Sequence, residues 1–96
     1  MLDLPADQLA LVRAILDRHV PHAKVWAFGS RVLGTAKKFS DLDLAIEDTE
    51  ELSLRTLGNL KHDFIESDLP ISVDILDMRM VKQPFKGIVV RQRVAL

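Results

Sequence analysis

A small α/β (α+β) fold, with a mixed three-stranded sheet covered by helices, is predicted by three observations. Apolar residues recur at helical spacing in three stretches. Two shorter stretches alternate apolar and acidic residues with a period of two. The two kinds interleave along the chain, and proline, glycine or serine stands at most of the boundaries.

The elements follow in order. Residues 5–19 predict a helix: Pro5 suits the first turn, where its missing N–H costs nothing, and Leu9, Val12, Ile15 and Leu16 share one face. Pro21 stops it, and Lys24–Phe28 predicts a short strand ended by Gly29. Ser30–Leu33 predicts one helical turn closed by Gly34, which tolerates a left-handed backbone. Thr35–Ser40 is a polar, basic loop. Leu42, Leu44 and Ile46 alternate with Asp41, Asp43 and Ala45, the clearest strand in the chain. Ser53 is an N-cap for a second long helix over 54–66, with Leu54, Leu57, Leu60, Phe64 and Ile65 as its buried stripe. Gly58 within that helix costs about 1 kcal/mol against alanine. Pro70 ends the segment. Ile71, Val73 and Ile75 alternate with Ser72 and Asp74 as a third strand, with Asp77 beyond its end. The tail over 81–94 predicts a last helix, with Pro84 in its first turn and Gly87 weakening it. Three strands leave little to bury on a second face, so the chemistry is expected on an open one.

Composition narrows the possible functions. The chain has 96 residues, which predicts one domain over 1–96. Thirteen basic and fourteen acidic side chains give a net charge of -1, which argues against direct nucleic-acid binding. Local basic sets remain at Lys37-Lys38 and at Lys82, Lys86, Arg91 and Arg93. Cysteine is absent, which excludes disulfides and thiolate metal sites and fits a cytoplasmic location. No run approaches the ~18 apolar residues of a membrane span, and the acidic, proline-broken start is unlike a signal peptide. His19, His22 and His62 have no mutual metal spacing. Trp26 and Phe28 read as core or interface, and the apolar tail (Ile88, Val89, Val90, Val94, Leu96) as sheet packing or an oligomer contact.

The chemistry concentrates in two segments, Phe28-Gly29-Ser30-Arg31-Val32-Leu33-Gly34 and Ser40-Asp41-Leu42-Asp43-Leu44. Asp41 and Asp43 are two apart on a strand, so both point to one face while Leu42 and Leu44 enter the core. Paired carboxylates repel, and a hard divalent cation with oxygen ligands relieves that repulsion. Alone, such a pair is more often a solvated strand end. Gly29-Ser30 adds a strand-to-helix turn whose backbone N–H groups favour anions, with a hydroxyl donor beside them. A turn of that kind, separated by ten residues from the paired aspartates, sets a polyphosphate cradle beside a metal site. Asp74 faces away from the apolar stripe of its strand. If that strand lies beside the first pair, three carboxylates share one face, as two-metal displacement at phosphorus requires.

Gly29-Ser30-Arg31, Gly34 and Ser40-Asp41-Leu42-Asp43-Leu44 closely resemble the signature of the DNA polymerase β-like nucleotidyltransferase superfamily, and Ser72-Val73-Asp74-Ile75 resembles its third acidic position. The resemblance covers about residues 24–76. Within the superfamily the chain looks like the minimal nucleotidyltransferases, which are encoded beside a HEPN-type or nucleotidyltransferase-substrate-binding helical protein. The resemblance implies the polymerase β palm-like fold and Mg²⁺-dependent transfer of a nucleoside monophosphate from ATP or another nucleoside triphosphate. It implies Asp41, Asp43 and Asp74 as metal ligands and catalytic residues, with Asp74 also helping to deprotonate the acceptor. Gly29 and Ser30 would hold the β- and γ-phosphates. Arg31 stands open between nucleotide binding and a surface ion pair, and Lys37 and Lys38 between steering the triphosphate and simple solvation. The expected partner is the helical protein, with the chain acting as antitoxin and attaching AMP to a hydroxyl on the toxin. The alternatives are an antitoxin that works by contact with little catalysis, and a catalytic subunit that acts on a small molecule. A second copy of the chain is another candidate for the acceptor side.

Overall fold

The computed structural model describes residues 2–96. Pro5 is the N-cap of helix α1 (Ala6–His19), just outside it. Its Val12, Ile15 and Leu16 are buried, so the predicted stripe points inward. Strand β1 (Lys24–Phe28) runs into Gly29, and the single turn α2 (Ser30–Leu33) closes on Gly34 at φ 79°. Strand β2 (Leu42–Glu47) is the centre of the molecule: Leu42, Leu44, Ala45 and Ile46 have no exposed surface.

Ser53 caps helix α3 (Leu54–Glu66), its side chain accepting from the Thr56 N–H at 3.1 Å. At the other end of α3, Asp63 accepts from His19 at 2.5 Å and from Arg18 at 3.1 Å, tying α1 to α3. The His19 hydrogen bond comes first among the causes that hold the Asp63 carboxyl below its usual range, ahead of the His19 and Arg18 charges. Strand β3 (Val73–Asp77), helix α4 (Phe85–Gln92) and the two-residue strand β4 (Val94–Ala95) complete the order. The sheet runs β3-β2-β1-β4, with β2·β3 parallel and the other two pairs antiparallel. Among the described residues no helix is long and apolar enough to cross a membrane.

The α/β class, α1, α3 and the first two strands agree with the sequence. The last helix is shorter than expected, Phe85–Gln92 rather than 81–94, with Pro84 as its N-cap, and four further details differ. The sheet has four strands rather than three, because the tail turns from α4 into β4 and pairs with Trp26 and Ala27. Two residues are too short a stretch to carry a period. The third strand begins at Val73 rather than Ile71, because its pairing starts where β2 starts, at Leu42↔Val73. At its other end it runs on to Asp77, which pairs with Ile46. The second sheet face is not bare: Val89 of α4 is buried with Phe28, Ala45 and Met78 in a small core of its own. Finally, Leu54 and Ile65 are 86% and 79% exposed, while Leu60 and Phe64 are buried. Leu57, Leu60 and Phe64 follow the i, i+3, i+7 spacing of one helix face. Leu54 and Ile65 lie off it.

This division of α3 predicts unequal costs. Leu60→Ala is expected to destabilise the fold by about 2–5 kcal/mol, through lost burial and an unfilled cavity. Ile65→Ala is expected to stay within about 0.5 kcal/mol. Urea unfolding of the two variants measures the difference.

Candidate active site

Three strands bring the site together in one row. Phe28 pairs with Asp43, and Asp43 pairs with Asp74. Directly paired residues share a face, so Asp43 and Asp74 project from the same side of the sheet, and Asp41, two residues before Asp43, enters that side just ahead of β2. Asp41 and Asp74 are exposed and Asp43 is half-buried. Partial burial pushes the Asp43 carboxyl above its usual value, and the negative charges of Asp74 and then Asp41 push it further. Among the described residues no salt bridge neutralises any of the three.

Asp77 does not join them. Three residues on from Asp74, its side chain lies on the opposite face, 4% exposed. Its two oxygens accept from the Leu52 N–H at 2.7 Å and the Arg79 N–H at 2.9 Å, which fixes the approach to α3.

Gly29 joins the cradle to the carboxylates. Its backbone has φ 79° and ψ -156°, a region that side chains rarely enter. A Cβ built there would collide with the Asp43 carboxylate. The turn of α2 starts at once: the Val32 and Leu33 N–H groups both donate to the Gly29 carbonyl at 3.0 Å. The amides of Ser30 and Arg31 have no preceding turn to donate to, so they are left for an anion. Cradle and carboxylate are therefore contiguous, with no side chain between them.

Arg31 settles differently from both sequence readings. It is 5% exposed, and its guanidinium donates to the carbonyls of Ser40 (3.0 Å), Asp3 (2.9 Å), Lys38 (3.1 Å) and Lys37 (3.4 Å). With its donors spent on backbone, it neither faces a phosphate nor makes a surface ion pair. It pins the loop that delivers Asp41. Lys37 and Lys38 are exposed on that loop, with the Lys38 ammonium 5.4 Å from the Phe39 ring centroid.

Gln92 is a contributor that sequence reasoning missed. Its Oε1 accepts from the Gly29 N–H at 3.1 Å, so the end of α4 reaches the cradle from sixty-three residues away. Nothing local in the sequence signals this. Trp26, on the same sheet face, is half-buried beneath the Arg93 guanidinium, 4.2 Å from the ring centroid, and donates to Glu47 at 3.3 Å. That agrees with a packing role.

The donor set suits a hard divalent cation: oxygen only, three like charges in one row, and the collision space of a missing Cβ beside the central carboxylate. Among the described residues no three acidic or histidine side chains already converge as a metal cage.

The comparisons agree with this geometry. Residues 12–96 match the family model described as polymerase beta, nucleotidyltransferase. A Haemophilus influenzae protein named as a probable protein adenylyltransferase, MntA, is 50% identical over 88 residues, covering 92% of this chain and 77% of that protein. A toxin–antitoxin structure with AMP-PNP superposes with a TM-score of 0.75 at 25% identity, covering 90% of this chain and 69% of that one. A structure described as a candidate minimal nucleotidyltransferase has a TM-score of 0.73 at 30% identity, covering 94% and 93%. A chain in the structure of a tri-AMPylated Shewanella oneidensis HEPN toxin in complex with MNT antitoxin shares the fold, at TM-score 0.67 and 23% identity, with 92% and 69% coverage.

Two predictions follow from the row of charges and the turn beside it. A carboxyl whose folded pKa is raised favours the folded state below its usual value of 3.8, and that advantage is lost as pH rises through the folded value. At pH 7, well above the usual value, the raised pKa therefore costs the folded state. Asp43→Asn is expected to raise the melting temperature at pH 7 in metal-free buffer, with the gain shrinking as pH falls towards 3.8. Gly29→Ala is expected to cost about 1–3 kcal/mol from backbone strain alone, with the collision in addition. Thermal and urea unfolding check both.

Proposed function

The chain belongs to the polymerase beta nucleotidyltransferase family, and from that premise we propose that it moves AMP from ATP to a hydroxyl on a helical, HEPN-type partner protein, as the antitoxin of a toxin–antitoxin pair. The observation that carries the reading is the contact between the Gly29 backbone and the Asp43 carboxylate, beside Asp74 on the next strand. It sets a polyphosphate cradle and a row of carboxylates within one ligand's reach. The relatives supply the acceptor class: one is named a protein adenylyltransferase, and in another structure the partner toxin carries AMP.

In this reading Ser30 holds the β- and γ-phosphates through its backbone N–H and its hydroxyl, and Gly29, whose own N–H is held by Gln92, lets the phosphates approach closely. Arg31 acts at one remove, by fixing the loop that presents Asp41. Asp41, Asp43 and Asp74 would hold Mg²⁺, which supplies charge stabilisation to the entering and leaving oxygens. The acceptor oxygen bonds to the α-phosphorus as the bond to the β-phosphate bridge breaks, and pyrophosphate leaves. The acceptor proton passes to the Asp74 carboxylate, which is exposed and close to the entering side. The protein's own contribution is position and charge rather than covalent chemistry.

The test is transfer of label from α-labelled ATP with Mg²⁺ to the HEPN-type partner. An Asp41→Asn, Asp43→Asn double variant is expected to lower labelling by about 10²–10³-fold or more. Neutralisation of the toxin that survives this loss would mean that contact suffices. Label on a small molecule and none on the partner would move the acceptor out of the protein class.

A further inference from the structure

Strand β3 is an edge of the sheet, and its outer side is open. The Leu42 N–H donates to Ser72 and the Met78 N–H to Ile46, at the two ends of the parallel ladder. In such a ladder alternate residues bond to the neighbour, so Ser72, Asp74, Leu76 and Met78 turn their backbone groups to β2. Val73 and Ile75 turn theirs outward. Among the described residues no turn, loop or cap hydrogen bond reaches them.

That edge is not flat surface. It runs along a cleft of about 970 Å³ whose floor includes Asp43 and Asp74. Lys61 and Ile65 of α3 line the cleft on one face of β3, and Phe28 and Phe85 on the other. The exposure of Ile65, at 79%, is therefore exposure to a cleft beside the site. The position decides which reactant belongs there. Across the sheet the order is cradle at the end of β1, Asp43 on β2, Asp74 on β3, then the cleft. In-line displacement sets the leaving and attacking groups on opposite sides of the phosphorus. A polyphosphate held at the β1 end leaves the β3 side to the attacking hydroxyl.

We propose that the open edge of β3 takes up an extended segment of the acceptor protein as an added strand, with the hydroxyl-bearing residue in register with Asp74. This rests on the protein-acceptor reading above. An added strand satisfies the outward N–H and C=O groups of Val73 and Ile75 by main-chain hydrogen bonds, which hold any sequence. Register supplies the selection. A residue opposite Asp74 projects from the sheet face that carries Asp43 and Asp74, with Cβ atoms about 4.5–5.5 Å apart. The residues on either side of it project to the opposite face, against Ile65 and Val73. The acceptor class is thus a hydroxyl side chain flanked by apolar residues in an extended stretch.

The test uses the full chain with the HEPN-type partner as probe. Ile65→Lys alters the cleft wall at an exposed position and leaves cradle and carboxylates untouched. Labelling of the partner is expected to fall roughly tenfold or more, while direct binding of Mg²⁺·ATP is unchanged. Hydrogen–deuterium exchange gives a second measurement free of any folding defect: the Val73 and Ile75 amides are expected to exchange quickly in the free chain and to be protected in the complex. Full labelling by the variant together with unprotected Val73 and Ile75 amides overturns the docking mode and leaves the transferase reading intact. Protection of the two amides in the chain alone, rising with its concentration, assigns the edge to a second copy and overturns the acceptor assignment. No label on the partner from the native chain overturns the transferase reading and the groove with it.

Discussion

The site depends on one close approach, the Gly29 backbone against the Asp43 carboxylate. It exists because β1 and β2 pair in a register that sets Phe28 opposite Asp43. The residue after Phe28 must therefore pass directly over that carboxylate. Only a residue without a side chain fits, and only glycine takes the φ of 79° that turns the chain into α2 at that point. Strand register, the start of α2 and the distance from cradle to carboxylate are one constraint seen from three sides.

Around this approach the polar groups that do not face the cleft hold geometry instead. Arg31 gathers four carbonyls, three of them from the loop between α2 and β2. Asp77 ties the approach to α3 to the end of β3. Gln92 brings α4 to the Gly29 amide. The opposite sheet face is a conventional apolar layer, with α1 and α3 over Leu42, Leu44 and Ile46. The like charges thus sit at the end of a strand whose other half is fully buried. Core packing holds in place a repulsion that the site itself does not relieve.

Periodicity made much of this legible. The α1 stripe, the β1 and β2 strands, the Gly34 closure and the Ser53 cap all stand where residue types and spacing set them. The shared face of Asp41, Asp43 and Asp74 came from alternation together with a resemblance that supplied strand order. What sequence missed has a common physical origin. The strand β4 and the Gln92 hydrogen bond join residues more than sixty positions apart, and the α4 cover sets Val89 against Phe28 and Ala45 of the distant strands. No local period encodes such pairings. Arg31 was ambiguous because a single arginine after a glycine-serine turn reads alike whether it meets phosphate or carbonyl. Ile65 was misplaced because an apolar residue next to a buried phenylalanine on a helix is core by default, and here it borders a cleft.

The way Arg31 grips its loop has a consequence for how such a chain can vary. Its four acceptors are main-chain carbonyls, which every amino acid carries. The path of residues 37–39 is thereby uncoupled from their side chains, while Ser40 adds its hydroxyl, which accepts from the Lys37 N–H at 2.8 Å. The loop at the mouth of the cradle can exchange charge, bulk or aromaticity while the arginine keeps its course. Specificity for what enters the site can drift there without dismantling the scaffold that brings Asp41 into place.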